Sequence, residues 1–304
     1  MKLPNTVINF HVIKDVVRME GILMLLKRHY NFVSAKNLED FYYGNLMLKN
    51  ACHITVDDGD KSVYDNLFPL IKKHKIPISI YVSPLSMKTG KNFWFQEIKN
   101  YDYQLLINYF NEIHHTNIEY INNKQVNAFL KSLQSNDIYS LIDYYRGKMN
   151  IPTKERFGMD VSQILELSKS SLVEIGAHTL THPILKNETK DNAKLEIKNS
   201  IDELSDILGS KIKYFAYPNG IPNMDFTERE VKILEDCGIK LAFTVENKRF
   251  TKNDHPLRIP RNGITKGSNS FILTKLIFGN SWLNLRRIAK GKQEYDYRLE
   301  ISKQ

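Results

Sequence analysis

The stretch ACHITVDDGDKS, Ala51 to Ser62, decides the fold. Its first six residues, Ala51 to Val56, form a β-rich run that stops at two aspartates and a glycine. Residues 62–74 then set Tyr64, Leu67, Phe68 and Ile71 at helical spacing, and IPISIYV, Ile76 to Val82, reads as the next strand. A strand joined to the next strand through a helix pairs with it in parallel, because only a crossover of a dozen or more residues can return the chain to the same end of a sheet.

The same alternation extends outward in both directions. VINF (Val7 to Phe10) is a first strand, Gly21 to His29 is helical, and NFVSAKNLEDFYYG gives a short strand followed by a helix capped by Ser34. Farther on, Asp160 and Gln163 form a capping box, LVEIGAH runs as a strand into a loop, and Ile197, Ile201, Leu204 and Leu208 mark a helix closed by Gly209. IKYFAYP is a strand, Thr227 and Glu230 open a helix that Gly238 ends, and KLAFTV and LRIPR are the last strands. Repeated strand–helix units of this kind imply an α/β barrel or a doubly wound sheet. Residues 95–158 break the pattern and read as an insertion of helices.

In both architectures functional residues gather on loops at the C-terminal ends of strands, and three motifs sit there. ITVDDGDKS (54–62) places two adjacent carboxylates after a strand, where they repel unless a proton or cation neutralises them. A metal would let one bind and the other act as base; the alternative is an ordinary Asp-Gly turn. EIGAHTLTHP (174–183) sets His178 and His182 four residues apart. One carboxylate and two imidazoles could make a three-ligand site with open positions, suited to Zn²⁺, Co²⁺, Ni²⁺ or Fe²⁺; the alternative is two loop histidines with local hydrogen bonds. YFAYPNG (214–220) ends a strand in a turn whose backbone N–H groups could hold an oxyanion, unless it is a turn and nothing more. Trp94, in FWF, could stack on a pyranose face or fill a core. His11, after the first strand, and His53, before the aspartates, read as structural histidines, and His114 and His115 as solvated ones.

Composition narrows the remaining classes. With 304 residues, 42% of them hydrophobic, the chain can bury a full core, so disorder is excluded for its body. The net charge of +9 comes from scattered Lys and Arg, and no nucleic-acid motif accompanies it, so no nucleic-acid partner is expected. Residues 266–304 are a separate basic, partly amphipathic segment, in which FILTKLIFGNSWL beside NLRRIAKGK could touch a membrane surface or simply dock as a terminal helix. Cys52 and Cys237 read as small buried hydrophobes, not a disulfide framework. No run is long enough for a transmembrane helix, and the first residues lack a signal-peptide core, so a cytoplasmic location is expected.

The three motifs together resemble the polysaccharide deacetylase family, also called carbohydrate esterase family 4 or the NodB-homology domain. TVDDG (55–59), HTLTHP (178–183) and FAYPNG (215–220) match its first three motifs in form and order, and the likeness covers about residues 5–265 outside the insertion. The resemblance implies a distorted (β/α) barrel, similar to a TIM barrel, over residues 1–265. It makes Asp57 the general base, Asp58, His178 and His182 the ligands of a divalent metal, most simply Zn²⁺, and the backbone N–H of Asn219 an oxyanion donor, with Tyr217 in the same turn a substrate contact. Two features depart from the family. Its late acid histidine motif is absent, which leaves His255 as the candidate acid. The third motif has Ala216 where many members carry an arginine; Arg258 or Arg261 could reach in from the last strand to orient the base, and Arg261 is the choice, the alternative being a structural, salt-bridged arginine. The implied reaction is metal-dependent removal of N-acetyl groups from an amino-sugar polysaccharide or its lipid- or nucleotide-linked precursor. O-deacetylation at the same site, or a silent glycan-binding module, are the alternatives.

Overall fold

The computed structural model describes residues 3–120, 122–264, 267–278 and 292–302. Its centre is a curled parallel sheet. The strands are β1 (Thr6–Phe10), β2 (Asn31–Phe32), β3 (Ala51–Val56), β4 (Ile78–Val82), β5 (Val173–Ala177), β6 (Tyr214–Ala216), β7 (Leu241–Phe243) and β8 (Asn262–Gly263). They run in the order β7-β6-β5-β4-β3-β1-β8, with β2 added to the N-terminal end of β3. Every residue of β1, β3 and β4 is buried, as expected of strands covered on both faces.

One extended segment closes the sheet into a barrel. Ile259 bridges to Phe243 of β7, and three residues later Asn262 pairs with Ile8 of β1. Here the expectation of a strand over LRIPR needs correcting. Pro260 has no N–H to give a ladder, so Ile259 makes an isolated bridge and regular pairing resumes only at Asn262. The expected helix over 62–74 likewise opens as one π-type turn, Val63–Leu67, before α3 (Phe68–His74). Pro69 cannot donate to Asp65, and Phe68 donates instead to the carbonyl of Val63, five residues back.

Around the barrel lie α1 (Val16–His29), α2 (Ala35–Tyr43), α4 (Pro84–Thr89), α9 (Val161–Ser168), α10 (Lys190–Leu208) and α11 (Glu228–Asp236). Ser34, Asp160 and Thr227 cap α2, α9 and α11 through side-chain hydrogen bonds, and Gly209 ends α10 in the left-handed region. Between β4 and α9 stand α5 (Trp94–Glu97), α6 (Tyr103–His114), α7 (Asn123–Leu130) and α8 (Ser135–Met149). They bury a hydrophobic cluster of their own, including Leu106, Phe110, Phe129 and Leu141.

α12 (Asn269–Phe278) and α13 (Glu294–Ile301) follow the barrel, and Ile301 packs on the cluster of the inserted helices. NLRRIAKG, the core of the basic run, lies outside the described residues, so the structure does not bear on the membrane contact. Among the described residues no helix is long and apolar enough to cross a membrane. Both cysteines are free, Cys52 buried and Cys237 half-buried.

Candidate active site

β3 ends at Val56, and the chain turns at once, with Asp58 and Gly59 in the left-handed region at φ 68° and 64°. That turn sends consecutive aspartates to different neighbours. Asp57, 2% exposed, meets Arg261, which is fully buried: Nη1 donates to Oδ1 and Nη2 to Oδ2, each at 2.7 Å. Asn9 of β1 adds a third hydrogen bond, to Oδ2 at 3.0 Å. Arg261 is itself held by the Thr244 carbonyl and the Thr55 hydroxyl. Burial raises the Asp57 pKa, but the adjoining guanidinium outweighs it, with His178 adding to the effect, and the net shift is downward.

Asp58 turns instead toward β5. Its Oδ1 lies 3.4 Å from Nε2 of His178 and 3.3 Å from Nε2 of His182. The His178 Nδ1 donates to the Ala216 carbonyl at 2.7 Å, which fixes the tautomer with the Nε2 lone pair facing the carboxylate. Oδ1 is buried and has no hydrogen-bond partner among the described residues. One ligand atom from each of the three side chains lies within 4.8 Å of the others. Lone pairs converging on one point repel each other unless a proton or cation sits between them, so the donor set fits a divalent metal. Without one, a proton does the work. Burial lowers the pKa of both rings and the Asp58 carboxylate raises both. His178, which also faces Asp57, ends raised; His182, beside His178, ends lowered, since one carboxylate cannot stabilise two imidazoliums equally.

The loop bearing the histidines is bent sharply. Thr179 and His182 have φ of 63° and 64°, values a β-branched residue adopts only under constraint. Glu196 of α10 supplies that constraint. It accepts the backbone N–H groups of Leu180 and Thr181 and the Thr181 hydroxyl, at 3.0, 2.9 and 2.7 Å. The sequence reading missed Glu196; the available signal was a carboxylate on the helix that follows a two-histidine loop.

A cavity of about 250 Å³ opens over this cluster. Asp57, Asp58, His178, His182 and Asn219 line it, and so does His11. Asn219 has φ 56°, and its backbone N–H has no acceptor among the described residues. Trp94 borders the cavity, but its ring is 1% exposed and belongs to the core of the inserted helices; Phe95, half-buried and 5.1 Å from the His182 ring, is the more accessible aromatic.

Two expected residues lie elsewhere. Tyr217 is 1% exposed, stacks on Phe226 at 3.7 Å and donates its hydroxyl to the Leu257 carbonyl, so it props the turn from the core side and is not a substrate contact. His255 is half exposed and lies 3.9 Å from Glu235. It precedes Pro256, whose carbonyl pairs with Ala242, at the start of the closing segment, whereas Arg261 comes at its end. That start is the barrel end away from the cluster, so the structure does not bring His255 to it. His11, directly after β1, lies at the cluster's end of the barrel and lines its cavity.

Fold and site together define the class: a NodB-type (β/α)-barrel protein with a carboxylate–histidine cluster at the C-terminal mouth of its strands. The sequence model described as "Polysaccharide deacetylase" matches residues 47–242, and the chain belongs to the polysaccharide deacetylase family. Among its relatives is the poly-β-1,6-N-acetyl-D-glucosamine N-deacetylase of Staphylococcus aureus, 21% identical over 248 residues and 80% of this chain. The chain spans 65% of that relative's length. The Staphylococcus epidermidis protein of the same name is 22% identical over 237 residues, covering 78% of this chain and 62% of its own. Two solved structures share the fold. IcaB from Ammonifex degensii has a TM-score of 0.62 at 21% identity, with 90% of this chain and 97% of that one covered. The Streptococcus pyogenes deacetylase PplD has a TM-score of 0.59 at 14% identity, with 91% and 99% covered.

Proposed function

We propose that this chain hydrolyses the N-acetyl group of a β-linked N-acetylglucosamine polymer, using a divalent cation held by Asp58, His178 and His182. The observation that carries the reading is the division of the Asp57–Asp58 pair. One carboxylate faces two imidazoles and the other is gripped by Arg261, so two adjacent aspartates are prepared for different tasks. The staphylococcal relatives, by name deacetylases of poly-β-1,6-N-acetyl-D-glucosamine, support the choice of polymer.

A cation bound there would supply Lewis acidity for the acetyl carbonyl and for water. Asp57 takes the proton of the attacking water at Oδ1, which accepts only one of the three hydrogen bonds made to this carboxylate and keeps a free lone pair. Arg261 and Asn9 orient that carboxylate. The Asn219 N–H stabilises the negative oxygen of the tetrahedral intermediate. His11, on the same rim, gives a proton to the departing amine nitrogen as the C–N bond breaks, leaving acetate and a free amino sugar. Phe95 offers the sugar ring an apolar face.

The test is acetate release from β-1,6-linked N-acetylglucosamine oligomers by the metal-depleted protein reconstituted with Zn²⁺, Co²⁺ or Ni²⁺. Turnover that appears with metal and vanishes with a chelator supports the reading; metal binding with no acetate from any oligomer sinks it in favour of a silent glycan-binding module. His11→Gln separates the acid from the rest. It should lower turnover of the amide about 100-fold or more, yet barely change cleavage of 4-nitrophenyl acetate, whose leaving group needs no proton.

A further inference from the structure

The cavity over the metal cluster has walls of two origins. The strand ends supply one, which carries Asp57, Asp58, His178 and His182. The other comes from outside the barrel: Asn127 on α7, Lys131 at the C-terminal end of α7, and Glu294, the first residue of α13. Glu294 lies beyond residues 47–242, the span that the family model matches. None of these three residues takes part in the chemistry described above.

Several contacts fix this second wall. Asn127 and Lys131 stand four residues apart, so their side chains share one face of the helix. The Lys131 carbonyl accepts Nδ2 of Asn187 at 2.9 Å, from the short helix after the histidine loop, and this ties the end of α7 to the barrel. α13 lies against α7, and the Lys131 ammonium meets Glu294 Oε1 at 2.8 Å. All three residues are half-buried, and the Asn127 amide has no hydrogen-bond partner among the described residues.

Their chemistry describes a ligand. The ion pair leaves the three side chains neutral as a group, so they favour neither a cation nor an anion. Pairing leaves donors on the ammonium and lone pairs on the carboxylate unused, and the Asn127 amide adds both a donor and an acceptor. Donors and acceptors set side by side suit groups that do both at neighbouring oxygens, as vicinal hydroxyls do. At about 250 Å³ the cavity is smaller than ordinary small-ligand pockets of about 300–1,000 Å³, and suits one sugar ring.

We propose that Asn127, Lys131 and Glu294 recognise the hydroxyl groups of the sugar unit whose acetyl group lies at the cluster. This rests on the deacetylase reading, which places that unit in the cavity. The inserted helices and α13 thus carry the choice of sugar, while the strand ends carry the reaction.

Steady-state acetate release from a β-1,6-linked N-acetylglucosamine tetramer by the metal-loaded full chain tests this. Asn127→Ala should raise KM about fivefold, and Glu294→Gln about tenfold, because the second removes a charged acceptor. In both variants kcat should stay within about twofold of the unsubstituted chain, the pattern left by losing binding that ground and transition states share. Unchanged KM in both variants overturns the proposal. A fall in kcat at unchanged KM overturns it as well, since it would make the wall a brace for the catalytic cluster. Failure of the catalytic reading shows separately, as no acetate from the unsubstituted chain. Calorimetric titration of the same proteins with the tetramer then decides: dissociation constants should rise by the same factors, and equal constants overturn the proposal.

Discussion

Asp57 and Arg261 are a buried charge pair, and removing one partner leaves the other without compensation. Arg261→Met should therefore lower stability by about 3–5 kcal/mol. In the Asp57→Asn/Arg261→Met double variant the loss should fall below the sum of the single losses by about 1 kcal/mol or more. Urea unfolding of the four proteins measures this, and strict additivity would mean that the pair is not coupled. Arg261→Lys keeps the charge but not the two-point grip, and should reduce kcat about tenfold or more. His53 makes a different residue-scale prediction. Fully buried between the Val33 carbonyl and Ser79 Oγ, it has its pKa pushed down by burial to about 4. Between its ordinary value of 6.5 and 4, the unfolded chain takes up a proton that the folded chain refuses, so the stabilisation present above pH 6.5 is lost as pH falls. From pH 7 to 5 this amounts to about 2 kcal/mol, and His53→Gln should lose correspondingly less than the unsubstituted chain over that interval. Residues were legible where chemistry and strand-end position coincide, as for Asp57, Asp58, His178 and His182. They were illegible where only three-dimensional placement decides: His255 and His11 are both loop histidines, and only the direction of their strands assigns them to opposite ends of the barrel.

At the scale of elements, most of the fold was readable because local signals agreed with tertiary need. Buried parallel strands appear as unbroken apolar runs, as in Ala51–Val56, and helix ends carry side chains that satisfy free backbone groups, as at Ser34, Asp160 and Thr227. The two elements read wrongly both contain a proline whose missing N–H removes a hydrogen bond that the apolar pattern alone implies, Pro69 in the opening turn of α3 and Pro260 in the closing segment. Contacts between elements were harder to read, and Glu196, signalled only by its place on the helix after the two-histidine loop, is the clearest case. From α10 it holds three donors of a loop with two residues in the left-handed region. Glu196→Ala should release that loop and weaken metal affinity about 10–100-fold, while Glu196→Gln, which keeps an acceptor oxygen, should retain more of it. Competition with a chromophoric chelator reads the affinity directly, and wild-type affinity in the alanine variant would show that the loop holds its shape without α10.

At the scale of the whole molecule, a connection runs from α13 to the third motif. α13 lies against α7 of the inserted helices and also reaches the barrel, where Arg298 Nη2 donates to Asp225 Oδ1 at 2.5 Å, with both residues buried. The other oxygen of Asp225 accepts the N–H of Ile221, next to the Asn219–Gly220 turn. α13 therefore helps hold the turn bearing Asn219, which lines the cavity over the cluster and whose N–H has no acceptor among the described residues. The same helix makes a second ion pair, Glu294 with Lys131 at 2.8 Å, on the rim of that cavity and partly exposed. The two pairs should differ sharply in effect. Glu294→Gln breaks a solvent-screened pair and should change stability by no more than about 1 kcal/mol. Arg298→Met leaves Asp225 buried and unpaired, and should cost about 3–5 kcal/mol. Because Asp225 positions the Asn219 turn, Arg298→Met should also lower kcat for acetate release under conditions where the variant remains fully folded, with KM less affected, as expected when a group that acts mainly in the transition state is displaced. Urea unfolding and steady-state kinetics on the two variants decide it. If Arg298→Met loses stability but keeps full kcat, α13 is a brace for the inserted helices alone, and the turn bearing Asn219 holds its geometry from within the barrel.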